Sequence, residues 1–555
     1  MSVTHEVFNQ AEPLVGVNLF RSNRPLRDAL KALAPGLDLA GLSVVGAEAG
    51  SAELQTHARL ANHHGPVLHT HDAQGRRIDE VEFHPSYHAL MEGALRHGLH
   101  GAPWSAAPLA HLERAAAFML WTGAEPSTLC PVSMSYAATP ALRANPALQA
   151  AWGPRLAGRR YDPRVIPFEG KTAVTMGMGM SEKQGGSDVR ANRSRAEADG
   201  RDAWGERVRI TGHKWFLSAP MCDAFLVLAR GDAGLGCYFL PRWLPDGTRN
   251  AFAIQRLKDK LGNRANASSE VEFDRAAAWL VGEPGRGVAQ ILAMGTLTRL
   301  DCALGSAGLM RQALALALHH CHQRQAFGRD LIEQPLMTNV LADLALESEA
   351  ATALALRLAL AVDRSEHGGG DHDQDHERAL RRLLNPIAKF WICKRGASYA
   401  QEAMECLGGN GYVEAEGAGV MARIYREMPV NSIWEGAGNI MALDLLRALR
   451  AADVAPALER ELAAARGADA AFDAAADALL RELGGVTEEA QARRLARDVA
   501  LLVQAALLQR QAPQGVFEAW CDSRIAARSD VWGLLGPRHD AKAIVQRALP
   551  VETDH

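Results

Sequence analysis

Apolar residues recur at helical spacing through residues 1–170, and Pro and Gly residues interrupt the pattern. The clearest run is Leu109–Trp121, in which the apolar positions share one face of a helix. The opening stretch Asn9–Pro25 is either an arm that packs on a neighbouring subunit or an ordinary ordered terminus. The pattern predicts a helical N-terminal domain over residues 1–170.

Long helical patterns return further along the chain. Leu297–His322 and Gln334–Asp363 are both apolar at helical spacing over many turns, which predicts a helical bundle domain at residues 285–450. An Ala-rich segment at residues 451–555 breaks at Pro513 and favours helix throughout. It is predicted to be a separate C-terminal helical domain.

Between the helical regions, residues 171–284 have the pattern of a β domain. Short runs rich in Val, Ile and Phe are separated by Gly and Asp turns. The strand-like runs are Ala173–Met176, Arg207–Thr211, Phe225–Ala229 and Glu270–Phe273. The predicted fold class is therefore mainly α with a β-domain insert and an extra C-terminal helical domain.

Composition excludes several classes of protein. The 555 residues carry a formal net charge of −4, which gives no general attraction to nucleic acid or to an anionic membrane. The eight cysteines form no CxxC pair, so neither zinc nor a disulfide framework is indicated and a reducing cytoplasm fits best. No signal peptide or membrane-spanning run is evident, and a cytoplasmic protein is expected.

One segment concentrates side chains that can bind metals. Residues Glu366–Glu377 hold several histidines and acids. A charged run interrupted by glycines is more typical of a solvated loop between helices than of a metal centre. No metal is predicted.

A candidate catalytic base lies in the stretch Ile433–Asn439. There Glu435 stands between Trp434 and a Gly-rich turn. A Glu beside a Trp can be desolvated, which raises its pKa and makes it a usable base near neutral pH. On its own, the same stretch is also typical of a Glu at the start of a helix.

Two motifs in the β region have the chemistry to bind a flat heteroaromatic ligand. In the first, the hydroxyls of Ser181 and Ser187 lie beside a flexible Gly-Gly pair, which offers O–H and N–H donors. In the second, Phe216 and Ser218 fall on one face of a strand because strand side chains alternate. A plain β-turn and a core aromatic are the alternatives.

The order of the motifs, more than any one of them, resembles the acyl-CoA dehydrogenase family over about residues 170–450. The sequences of several loops, together with the extra C-terminal domain, resemble the AidB branch of that family. This branch is linked to DNA alkylation damage, and the resemblance to it extends over nearly the whole chain. The matching motifs are Ser181–Asp188, Phe216–Ser218, Lys260–Arg264, Arg324–Gly328, Leu407–Tyr412 and Glu435–Gly436.

The resemblance implies a helical N-terminal domain, a middle β-barrel and a helical bundle that bind FAD in a homotetramer. Glu435 would be the catalytic base for α,β-dehydrogenation of a short or branched acyl-CoA, with an electron acceptor that the sequence does not identify. Trp434 and Arg299 would contact the substrate, although a core salt bridge is an equal alternative for Arg299. The residues implied to bind FAD are Met178, Met180, Ser181, Gly186, Ser187, Phe216, Leu217, Ser218, Arg324, Phe327, Leu407, Gly408, Gly409, Gly411, Ile433, Trp434, Gly436 and Asn439, of which Arg324, Phe327 and the 407–411 region would serve the partner subunit's FAD.

The chain departs from the family pattern at three positions. Ala437 lacks the hydroxyl that normally contacts the cofactor, Glu405 replaces a Gln, and Trp434 should shorten the acyl cavity. A minority of the family places its base in an earlier helix, where Thr298 stands here. Asp301, nearby, is interpreted as a structural residue.

Binding to double-stranded DNA is a second hypothesis of a different class, and a protective flavoprotein with little or no turnover is a third. Affinity for DNA depends on cations that neutralise phosphates. Acidic residues outnumber basic ones over 451–555, so binding would require cations segregated onto one face. The candidate cations are Arg447, Arg450, Arg493, Arg494, Arg497, Arg510, Arg524 and Arg528.

Overall fold

The structure is a computed structural model that describes residues 4–367, 373–414, 420–485 and 488–552. The centre of the charged loop, residues 368–372, lies outside the described residues. The chain divides into two units, which are described separately. The first unit comprises Met1–Gln55, Pro108–Ala124 and Arg299–His555, and the second comprises Thr56–Ala107 and Glu125–Thr298.

Helices make up most of the described chain, as the apolar pattern predicts. They are α1 Arg24–Leu33, α2 Ala40–Ala49, α3 Ala52–His63, α4 Pro85–Arg96, α5 Ala110–Ala124, α6 Leu129–Ala141, α7 Pro146–Leu156, α8 Gly287–Gln323, α9 Pro335–Glu366, α10 Gln374–Glu405, α11 Gly409–Tyr412, α12 Val420–Asn431, α13 Gly438–Ala448, α14 Val454–Leu462, α15 Ala470–Leu483, α16 Ala492–Gln511, α17 Gln514–Trp520 and α18 Ala541–Ala548. None of the helices in the described residues is long and apolar enough to cross a membrane.

The second unit contains a seven-stranded sheet and a separate hairpin. The strands of the hairpin and the sheet are β1 Val67–His71, β2 Arg77–Glu82, β3 Met176–Gly179, β4 Arg195–Asp202, β5 Gly205–Ser218, β6 Ala224–Gly231, β7 Gly234–Pro241, β8 Phe252–Leu257 and β9 Ser268–Val281. The sheet order is β3-β5-β4-β6-β7-β9-β8, with further pairings of β3 with β6 and of β5 with β9. The predicted fold class, mainly α with a β insert, is confirmed.

Alternating side chains form the core of the sheet. Phe225, Phe252 and Phe273 are among its buried residues, and each buried aromatic of this size stabilises the fold by about 1.5–3 kcal/mol. Leu68 and Val81 from the β1–β2 hairpin pack against this core. The hairpin lies within the N-terminal region that the sequence predicts to be mainly helical. Its short strands are largely polar, so the apolar pattern does not reveal them.

Helix α9 forms the centre of the first unit. It is buried on nearly every face between Leu341 and Asp363, and helices α5, α10, α16 and α18 pack against it. Pro335 starts the helix, where its missing N–H costs nothing. Inside, Arg357 donates to both Glu377 and Glu461, so the buried charges are paired.

Candidate active site

The sheet of the second unit brings together the residues predicted to hold a flavin ring. Met178 on β3 pairs with Ser218 on β5. The main-chain N–H of Trp215 donates to the carbonyl oxygen of Ser181 at 2.9 Å, which fixes the start of the Ser181–Asp188 loop, here called the ring loop. A Cβ at Gly186 would lie 2.3 Å from the Oγ of Ser181, so a larger residue there would require the Ser181 side chain to move. Met178, Ser181, Gly186 and Ser218 therefore belong to one small region.

The alternation expected of Phe216 and Ser218 is present at the end of β5. The Phe216 ring is 50% exposed, whereas the intervening Leu217 is fully buried in the core of the sheet. Leu217 therefore offers only its main chain to a ligand. The ammonium of Lys258 lies 4.7 Å from the centre of the Phe216 ring. An outward aromatic face of this kind suits a flat cofactor.

A buried ion pair between β5 and the ring loop anchors the loop to the sheet. The Nζ of Lys214 donates to Oε1 of Glu182 at 2.8 Å, and neither side chain is exposed. The carboxylate of Glu182 also accepts from the main-chain N–H groups of Arg193 and Ser194. Burial alone would raise the pKa of Glu182, but Lys214 and these donors hold it at about 2. Sequence reasoning missed this pair.

Glu435 lies in the first unit, in the turn between α12 and α13. Its φ of 58° is unusual for a residue with a side chain, and such strain is concentrated at functional sites. Gly436 has a φ of 107°, which residues with a side chain rarely adopt, so the turn favours glycine at this position. The indole N–H of Trp434 is buried and finds no acceptor in the described part of the chain.

Two buried cations hold this turn by its carbonyl groups. The Nε of Arg299 donates to the Glu435 carbonyl at 2.8 Å, and the Nζ of Lys389 donates to the Gly436 carbonyl at 2.6 Å. Arg299 also forms an ion pair with Asp444 at 3.0 Å. The salt bridge foreseen as the alternative for Arg299 is therefore present, and burial lowers the pKa of its guanidinium.

Thr298, at the position where some family members place the base, and the nearby Asp301 both make structural contacts. Asp301 forms a buried bidentate ion pair with Arg114, in which Nη2 and Oδ2 are 2.7 Å apart. The hydroxyl of Thr298 donates to the Gly295 carbonyl at 3.0 Å. Both carboxylate oxygens of Asp301 are thus bound by Arg114, as expected of a structural residue.

The residues predicted to serve the partner subunit's FAD lie at the end of α8 and after α10. Phe327 is at the tip of a hairpin formed by β10 Gln325–Ala326 and β11 Arg329–Asp330, and it is 98% exposed. Arg324 donates to the Asn9 carbonyl at 2.7 Å. The opening stretch thus contacts its own chain, as expected of an ordered terminus.

The remaining predicted contacts lie at the beginning of α11 and of α13 and in the turns that precede these two helices. Gly408 has a φ of 59°, as a Gly-rich turn requires, and Gly411 is buried. Ile433 is 64% exposed. The predicted contacts in these segments are Leu407, Gly408, Gly409, Gly411, Ile433 and Asn439.

Most of the tail arginines are bound within the chain. Arg524 is buried in ion pairs with Asp343 and Glu347. Arg494, Arg497 and Arg510 also pair with carboxylates. Of the candidates, Arg447, Arg450, Arg493 and Arg528 are exposed, and in the described residues none of them has a carboxylate within 4.0 Å. Arg493 instead donates to the side-chain oxygen of Asn439.

Three family models match the chain. Residues 9–163 match the N-terminal domain of the adaptive response protein AidB. Residues 177–276 match the acyl-CoA dehydrogenase middle domain, and residues 285–450 match the acyl-CoA dehydrogenase C-terminal domain. The division into four domains stays a prediction, because these matches do not test its boundaries.

Similar proteins include one close relative in sequence and two solved structures. AidB of Escherichia coli (strain K12) is 46% identical over 95% of this chain and 96% of its own length. The apo form of Bd2924 is 30% identical, with a TM-score of 0.81, over 91% of this chain and 100% of that one. ACDH-11 of Caenorhabditis elegans in complex with C11-CoA is 26% identical, with a TM-score of 0.82, over 98% of this chain and 95% of that one.

Proposed function

The chain belongs to the acyl-CoA dehydrogenase family as a homologue of AidB, and from this premise we propose that it dehydrogenates a short or branched acyl-CoA with Glu435 as the base. The family makes it an oxidoreductase acting on the CH–CH bond of an acyl thioester. The observation that carries the proposal is the Glu435 turn, whose unusual backbone is held by Arg299 and Lys389.

The residues of the ring loop fit FAD, the family's cofactor. The exposed Phe216 ring offers a flat apolar surface, and the hydroxyl of Ser218 lies two residues away on the same strand. Ser181 lies beside the strand that carries this ring, because its carbonyl oxygen accepts from the main-chain N–H of Trp215. When bound, FAD accepts the hydride that leaves the β-carbon of the thioester.

Glu435 is assigned to the proton-removal step of the reaction. The α-proton of a thioester is weakly acidic, so its removal requires a base and hydrogen-bond donors to the thioester oxygen. We assign the carboxylate of Glu435 as the base and its own N–H as one donor. Arg299 and Lys389 act as positioning residues, because their contacts are to carbonyl groups on this turn.

Trp434 limits the size of the acyl group. Its bulk beside the base favours a short or branched chain, which is the substrate class proposed. ACDH-11, a structural relative, holds C11-CoA. A series of acyl-CoAs that includes an 11-carbon chain therefore distinguishes the two possibilities.

The first expected result is that the purified protein carries FAD or is readily reconstituted with it. Absorbance between 350 and 500 nm should show an oxidised flavin at about one per chain. Replacing Phe216 with Ala should weaken FAD binding. The control is Val531→Ala, which removes another exposed apolar side chain and should leave FAD binding unchanged. A wild-type protein that remains colourless after incubation with FAD would overturn the proposal.

We further propose that the protein contacts duplex DNA through Arg447, Arg450 and Arg528. Their exposure without carboxylate partners, in a region where Arg494, Arg497, Arg510 and Arg524 are paired, favours a role toward an external anion. The homotetramer and the cytoplasmic location remain predictions that accompany this proposal.

DNA binding should be insensitive to sequence and should weaken steeply with salt, because phosphate contacts release counterions. Replacing Arg447, Arg450 and Arg528 together with Glu should abolish a low-salt gel shift while FAD content stays unchanged. Arg494→Glu is the control, because that arginine already binds Glu482. No shift of wild-type protein at tens of micromolar, or an unchanged shift of the triple variant, would contradict the proposal.

A further inference from the structure

Three cations surround the start of α13, immediately after the proposed base. Lys389 donates to the Gly436 carbonyl. Lys394 lies beside Gly438, where a Cβ would be 3.4 Å from its Nζ. From α16, the Nη1 of Arg493 donates to Oδ1 of Asn439 at 2.9 Å. These three cations thus contact three positions of one turn. We call them, Lys389, Lys394 and Arg493, the cationic cluster.

The cationic cluster has no acidic partner in the part of the chain that the structure describes. Among the described residues, no carboxylate lies within 4.0 Å of any of its three members. By contrast, Arg494 and Arg497 on the same helix both pair with Asp498. Burial, Arg493 and Lys389 lower the pKa of Lys394, which reflects the mutual repulsion of these cations. Adjacent cations without a counter-charge indicate that an external anion completes the site.

The bond from Arg493 also determines which way the Asn439 amide faces. Because the guanidinium donates to Oδ1, the Nδ2 group points away from Arg493. Nδ2 has no acceptor among the described residues, and the side chain is exposed. The turn therefore presents an amide donor and two cations toward the solvent at the same place.

We propose that Arg493, Lys394 and the Asn439 amide bind the phosphate groups of FAD, with Arg493 also positioning Asn439. This inference rests on the proposed function, which requires FAD at this protein's active site. The two added cations offset the hydroxyl that is missing at Ala437. Arg493 lies beyond residues 285–450, the stretch that matches the family's C-terminal domain. The extra helical segment thereby contributes directly to cofactor binding.

The test is a titration of apoprotein with FAD, followed by flavin fluorescence. Arg493→Ala should weaken FAD binding about tenfold, because it removes a charge-assisted contact. Arg493→Lys should recover most of the loss, since an ammonium keeps the charge. Arg497→Ala is the matched control: it lies about one turn further along α16 and already pairs with Asp498, so binding should not change.

Riboflavin, which carries no phosphate, separates a phosphate contact from a general loosening of the fold. Its affinity should be the same in wild type and Arg493→Ala. In the Asn439→Ala background, the effect of Arg493→Ala should shrink, because part of it acts through the amide.

Equal FAD affinity of Arg493→Ala and wild type would overturn the inference, and so would an equal loss of riboflavin binding. If wild-type protein binds no FAD at all, the proposed function fails as well. If wild type binds FAD and acyl-CoA reduces it, while Arg493→Ala behaves identically, only the inference about Arg493 fails.

Discussion

Glu435→Gln should reduce the rate of flavin reduction by acyl-CoA by about 10²- to 10⁴-fold, because general-base catalysis contributes that much to proton removal. Gln keeps the shape of the side chain and cannot accept the α-proton as a carboxylate does. The turn should survive, since Arg299 and Lys389 bind main-chain carbonyls that the substitution leaves in place. Stopped-flow absorbance of FAD-loaded enzyme under anaerobic conditions measures the rate.

Glu459→Gln is the matched control for that experiment. It makes the same chemical change on an exposed position of α14, and its rate should equal that of wild type. FAD content should be the same in all three proteins. An unchanged rate in Glu435→Gln would move the base to another residue and would remove the central assignment.

Lys214→Met should destabilise the second unit by about 3–5 kcal/mol, because it leaves the carboxylate of Glu182 buried without its cation. The carboxylate would keep only its main-chain donors, from Arg193 and Ser194. Since Glu182 begins the ring loop, FAD retention should fall as well. Denaturant unfolding followed by tryptophan fluorescence measures the loss, with exposed Lys542→Met as the control.

The double variant Glu182→Gln/Lys214→Met should recover much of that stability, because no buried charge is left unpaired. The pH dependence gives an independent check. The pKa of Glu182 falls from 4.5 to about 2 on folding, so its contribution is present above pH 4.5 and is lost as pH falls toward 2. This loss should be smaller in the double variant. If Lys214→Met lowers the free energy of unfolding by less than about 1 kcal/mol, the assigned role of the pair is contradicted.

Long helical segments were predictable from the sequence because a helix buried among its neighbours is rich in apolar, helix-favouring residues over many turns. The runs Leu109–Trp121, Leu297–His322 and Gln334–Asp363 correspond to α5, α8 and α9. Strand β4 was missed for the opposite reason. Ala196 is its buried residue and most of its other side chains are exposed, so it shows no apolar alternation.

The candidate site was predictable as a set of motifs but not as a set of contacts. The ring loop and the Glu435 turn each carry local signals in a few consecutive residues. The pairs that support them join distant positions, such as Glu182 with Lys214 and Asn439 with Arg493. No local spacing encodes such pairs, and Arg493 in particular looks in the sequence like any other surface arginine.

The central claim is that this chain oxidises an acyl thioester at its α,β-bond. Its most direct test is an anaerobic titration of FAD-loaded wild-type protein with straight, branched and 11-carbon acyl-CoAs, with the thioester product identified by mass. We expect the flavin absorbance to bleach with a short or branched substrate and an equal amount of 2-enoyl-CoA, two hydrogens lighter, to form. A flavin that stays oxidised with every acyl-CoA in the series, and no enoyl product, would contradict the account.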